Sequence, residues 1–172
     1  MVLDWAKTGL IVFVATILQV SVFSDVTILH GTPDLLLVTI ICVALLRGPI
    51  AGAAAGFWGG ILLDTATLGT LGVSSLLLTV AGYWAGRYGE TTGRGRRYAP
   101  ALAAFAISIL AGLGEVALHF LLGEPVAARD ALVTAVPSAI LAAVLALGVI
   151  RLTDAMLSAP QGLERARQVE LV

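Results

Sequence analysis

The stretch Gly48-Pro-Ile-Ala-Gly52-Ala-Ala-Ala-Gly56-Phe-Trp-Gly-Gly60-Ile-Leu-Leu-Asp64 decides how this chain is read. Gly48, Gly52, Gly56 and Gly60 recur every fourth residue, so on a helix they stack along one face as a groove without side chains. In water each interior glycine costs such a helix roughly 1 kcal/mol relative to alanine. In lipid, backbone hydrogen bonds must close within the segment, and small residues let a neighbouring helix approach closely. The pattern predicts a packing helix inside a membrane bundle, apolar until it ends in the carboxylate of Asp64.

The composition agrees. The 172-residue chain is 59% hydrophobic and 12% charged, with a mean hydropathy of +1.00, whereas soluble domains carry about 25% charged residues. A net charge of -1 leaves no excess cation to neutralise phosphates, which argues against a nucleic-acid partner. The single cysteine, Cys42, lies in an apolar run and reads as a small core residue. The expected architecture is all-α: one transmembrane domain over 1–172, with six spans near 6–24, 33–47, 49–65, 72–88, 99–122 and 131–153. Residues 154–172 form a cytoplasmic tail. The second and third spans are short for a hydrocarbon core of about 30 Å. Only Arg47-Gly48-Pro49 separates them, so they should form a tight helical hairpin. Lys7 precedes the first apolar run as in a signal peptide. However, Ser21-Val-Phe-Ser-Asp25 offers no small-x-small cleavage site, and the span is expected to be retained.

Orientation follows from the cations. Lys7, Arg47, Arg87, Arg94, Arg96, Arg97, Arg151, Arg165 and Arg167 fall on one side of the six-span scheme, and Arg129 alone falls on the other. Both termini and the Arg-rich loop 87–97 are therefore expected in the cytoplasm, the latter next to anionic lipid. The loops 25–32, 65–71 and 123–130 are expected outside. On this scheme Gln19, Asp34, Thr39, Asp64, Ser74, Ser75, Thr79, Glu115, His119, Thr134 and Ser138 all map to the outer half or outer edge of their spans. Polar groups at membrane depth are costly unless they face protein or water. The bias points to a polar crevice or interface that opens outward, with helix caps and interhelical hydrogen bonds as the structural alternative.

Three sites stand out within that set. Glu115 and His119, spaced i, i+4, share a helix face and could pair or relay a proton. They are not a metal motif, because a second histidine at the right spacing is lacking and His30 lies in a loop. Asp34 follows Pro33 and reads as a helix start, with a carboxylate near the positive end of the dipole. Asp64 ends a helix, where the dipole opposes it. It needs a cationic partner, a neighbouring helix N-terminus, or a turn onto Thr65 and Thr67. The sequence holds no nucleophile elbow, phosphate loop or Cys/His cluster, so neither an enzyme nor a cofactor is expected.

These residues bring a family into view. From about Gly31 to Gly86 the chain resembles MreD, the small integral-membrane rod shape-determining protein of bacteria. The resemblance is carried by Pro33-Asp34-Leu35, Arg47-Gly48, the repeated glycines, Leu62-Leu63-Asp64, Leu71-Gly72 and Gly82-Tyr83. It implies a non-catalytic component of the machinery that builds lateral peptidoglycan. The implied partners are an MreC-like bitopic protein, a RodA-like glycosyltransferase, a class B penicillin-binding transpeptidase and the actin-like MreB cytoskeleton. Pro33, Asp34, Arg47, Asp64, Glu115 and His119 are then the candidate partner-binding residues, and the four spaced glycines the packing surface. A second resemblance, in size and span number, is to the substrate-binding S components of energy-coupling-factor vitamin transporters. Their Ala-x-x-x-Ala docking pair is missing from the first span.

Overall fold

The computed structural model describes residues 2–23, 34–92, 99–123 and 128–157, and all its regular elements are helical. They are α1 (Val2–Leu18, continued by a π-helical turn over Gln19–Phe23), α2 (Leu35–Arg47), α3 (Pro49–Thr67), α4 (Val73–Thr92), α5 (Ala99–Leu121) and α6 (Ala128–Leu157). Pro33, His30, Arg94, Arg96, Arg97 and the tail beyond Leu157 lie outside the described residues.

The Arg47-Gly48-Pro49 link folds as its chemistry requires. Gly48 adopts φ +95°, a conformation open to glycine. It closes α2 by donating its N–H to the carbonyl of Ala44 at 2.7 Å. Pro49 then opens α3, at a position where a missing N–H leaves no bond unmade. With one residue between the two helices, the expected tight hairpin is present.

Helix α2 forms the axis of the bundle. All ten residues from Leu36 to Leu45 are buried, so this helix is enclosed on every side, and α1, α3, α4, α5 and α6 all pack against it. Around it the glycine face works as expected. A Cβ added at Gly52 would come within 3.0 Å of the backbone of Gly82. One at Gly56 would meet the backbone of Leu78 and Thr79, and one at Gly60 that of Ser74 and Ser75. Helix α4 answers in kind, since Gly86 lies against Gly48 and Pro49. Helices α3 and α4 thus touch through their backbones along their length. A hydrogen bond from Ser75 Oγ to the carbonyl of Phe57, at 3.0 Å, ties them together.

Much of the outer surface is apolar, and several polar side chains are inside. Trp58 and Trp84 are 64% and 63% exposed, and Ile50, Val80, Leu110, Val144 and Leu152 also face outward. Thr16, Thr39, Asp64, Ser75 and Thr153 are buried. A soluble protein rarely leaves apolar surface in such continuity, whereas lipid accepts it. Two helices are long and apolar enough to cross a membrane by themselves, within Ala99–Leu121 and Thr134–Ala155. The apolar parts of α1 and α2, Trp5–Ser21 and Leu35–Arg47, are shorter. The helices also differ from the expected spans. Helix α3 runs to Thr67 rather than 65, α4 to Thr92 rather than 88, and α6 covers 128–157 rather than 131–153. The reason is that hydropathy marks apolar stretches, while backbone hydrogen bonding continues through polar residues such as Thr67, Glu90 and Asp154.

Candidate functional site

Helices α2, α4 and α6 begin at the same end of the bundle where α3 and α5 finish. A cavity of about 750 Å³ opens there. Each of these five helices supplies a wall: Asp34 and Leu37 from α2, Leu63, Asp64 and Thr67 from α3, Val73, Ser74 and Leu77 from α4, Glu115 and His119 from α5, Thr134 and Ser138 from α6. The polar crevice expected from sequence is therefore present as a concavity at this end of the bundle. Of the candidate site residues it unites Asp34, Asp64, Glu115 and His119. Arg47 is excluded, since it ends α2 at the opposite end of the bundle. The four glycines serve the α3–α4 contact rather than this cavity.

The carboxylates are held in place by backbone. Asp34 Oδ1 accepts from the N–H of Leu37 at 2.8 Å, the helix-capping role its position implied. Gln19, on the π-helical turn of α1, reaches across and accepts from the N–H of Leu35 through Oε1 at 2.7 Å. The start of α2 is thus capped by its own chain and by a neighbour.

Asp64 is 3% exposed, and its compensation comes from within the chain. Oδ2 accepts from the N–H of Gly72 at 2.7 Å. The carbonyl of Gly72 in turn takes the first turn of α4, from Leu76 at 2.9 Å. The Asp64 carboxylate, in the last turn of α3, is therefore a cap at the positive start of α4, one of the three explanations its sequence position required. The reading of a turn onto Thr65 and Thr67 is corrected. Both hydroxyls bond back to carbonyls of their own helix, Thr65 to Ile61 and Leu62, Thr67 to Leu63. The connection is made instead by Leu68 in the left-handed region, φ +54°, and Gly72 at φ +98°.

Helix α5 presents Ser108, Ala111, Gly112, Glu115 and His119 to the cavity. This is a stripe at i, i+3, i+4, i+7 and i+11, so Glu115 and His119 occupy the same wall one turn apart. Ser108 was not among the expected polar set. Its signal is its place two turns before Glu115, as the lone hydroxyl of its helix. Among the described residues no group of His, Cys, Asp and Glu side chains is arranged to hold a metal ion.

The cavity thus has polar residues on all its walls, while much of the exterior of the bundle is apolar. No curated protein and no solved structure matches the chain. The family model for rod shape-determining protein MreD matches residues 1–153. On that match, over nearly the whole length of a helical, apolar-surfaced chain, the protein belongs to the MreD family of rod shape-determining membrane proteins.

Proposed function

We propose that the protein is a non-catalytic scaffold of the cell-elongation machinery, and that its polar cavity is the place where a partner is held. Six membrane-crossing segments with both termini in the cytoplasm would turn this end of the bundle outward, towards the compartment where peptidoglycan is made. The observation that carries the reading is the cavity itself. It has polar residues from five helices, and the carboxylates Asp34 and Asp64 are fixed by backbone N–H groups rather than left mobile. Such rigidity suits recognition, in which a preorganised surface loses little freedom on binding. An MreC-like bitopic protein is the first partner to test. The RodA-like glycosyltransferase, the class B transpeptidase and the MreB-like cytoskeleton complete the assembly.

The experiment is mild solubilisation of the tagged chain followed by identification of what co-purifies, alongside rescue of cell shape in a strain lacking the protein. Recovery of elongation proteins and restored rods support the scaffold. A second reading draws on the cavity's size, which lies within the roughly 300–1,000 Å³ typical of small-molecule sites. On that reading the chain is an S-component-like subunit that binds a vitamin. Co-purification of a small molecule, with no elongation protein, would favour it.

A further inference from the structure

The charge in the cavity is one-sided. Asp34, Asp64 and Glu115 line it, His119 is the one basic side chain on its walls, and no lysine or arginine contributes among the described residues. Two of the carboxylates are offset, because Asp34 and Asp64 cap the starts of α2 and α4. Glu115 has no such support. It lies six residues before the end of α5, caps no helix, and is exposed. No ion pair to it is present among the described residues, and its charge acts against that of Asp34. About 10 Å deeper along the same stripe, the hydroxyl oxygen of Ser108 is shut away from solvent with no hydrogen-bond partner among the described residues. A helical serine can return its proton to a carbonyl one turn back, and this one does not. The cavity therefore holds, near the end of the bundle, a carboxylate with no ion-pair partner among the described residues, and on its inner wall an unmet hydroxyl.

We propose that the cavity receives a lysine or arginine side chain from a partner protein, paired with Glu115 and flanked by Asp34. This rests on the scaffold reading and names what the scaffold's cavity takes. A cation answers the excess charge, and a charge-assisted hydrogen bond to a carboxylate is the strong kind. A zwitterionic lipid amine would bring its own phosphate against the same three carboxylates. A free small amine would leave most of the 750 Å³ empty. A basic side chain carried on a protein segment has neither drawback.

The test uses the full chain in nanodiscs of phosphatidylglycerol, with arginine amide as probe and citrulline amide as its uncharged isostere, both acetylated on the α-amine. Arginine amide should bind and citrulline amide should not. Glu115→Gln should weaken binding about ten- to a hundredfold, the effect of losing one charged hydrogen bond, and Glu115→Asp should restore much of it. In cells, Glu115→Gln should release the co-purifying partner while the protein still accumulates, since Glu115 holds no ion pair within the described fold. Equal binding of the two amides, or unchanged binding by Glu115→Gln, overturns the proposal. So does displacement of arginine amide when phosphatidylethanolamine is added to the nanodiscs, which would make the occupant a lipid. A partner that co-purifies equally with wild type and Glu115→Gln overturns the cation proposal and leaves the scaffold standing. If no elongation protein accompanies the wild type, the scaffold reading itself fails.

Discussion

Replacing Gly56 with alanine sets two effects of known sign against each other. Away from other helices, Gly→Ala inside a helix stabilises by roughly 1 kcal/mol. At Gly56 the new methyl would lie closer than 3.0 Å to the carbonyl group of Leu78 and the amide nitrogen of Thr79, where ordinary contact begins at 3.4 Å. These are backbone atoms, so no side chain can rotate aside, and α3 and α4 must part. Parting them at Gly56 also strains the matching contacts at Gly52 and Gly60. Overpacking costs about 1–3 kcal/mol, and a backbone clash belongs at the upper end. The net expectation is destabilisation by about 1–2 kcal/mol. Gly148 provides the control, because it lies in α6 with nothing within 4 Å of an added Cβ. Gly148→Ala should be neutral or stabilising by up to about 1 kcal/mol. Unfolding in detergent, followed by tryptophan fluorescence, reads both variants against wild type. If Gly56→Ala proved as stable as Gly148→Ala, the glycine face would not be a close-packed seam. Gly52→Leu and Gly56→Leu carry the same logic to cells, where neither protein should accumulate.

At Asp64, asparagine keeps an oxygen for the N–H of Gly72 and should fold and restore rods, whereas leucine strands a buried donor at a cost of about 1–3 kcal/mol and should lower the amount of protein. Asp34→Ala and Gln19→Ala each uncap the start of α2; each should lower the unfolding midpoint, by about 0.5–2 kcal/mol for the aspartate, and Asp34→Asn should be close to neutral. Leu68 is 92% exposed at φ +54°, so Leu68→Gly should raise stability by about 1 kcal/mol, and an unchanged or lower midpoint would argue against that backbone conformation. Reporters after Val172 or at Thr92 should read cytoplasmic and those near Thr67 or Pro125 external; an external C-terminus would overturn the six-span scheme.

Where the sequence was legible, the signal was local. Gly48 between Arg47 and Pro49 could do little but turn, and the four-residue glycine spacing could mean only one face. Asp34 also caps within its own first turn. Asp64 stayed ambiguous because its answer lies eight residues away, across a turn built on a left-handed leucine that no propensity rule would place there. The role of Gln19 was hidden for the same reason, its partner being 16 residues distant on another helix. Ser108 is legible only through its spacing from Glu115. Ala111 and Gly112, which complete its stripe with Glu115, carry no polarity to draw the eye, yet small residues are what leave room for a cavity.

The enclosed helix α2 has a consequence for how the molecule is made. At 13 residues, or about 20 Å, it leaves the ribosome before α3, α4, α5 and α6, yet it gains its last wall from α6. The sulfur of Cys42 lies 3.9 Å from the carbonyl of Ala146, a sequence separation of 104 residues. Until that wall arrives, the most completely buried helix of the finished protein has an open flank. Synthesis thus passes through an interval in which the future core is surface, and a chain cut short before α6 would leave it so. Quality control in the membrane could recognise that bare flank in unfinished copies, and completed molecules would no longer offer it.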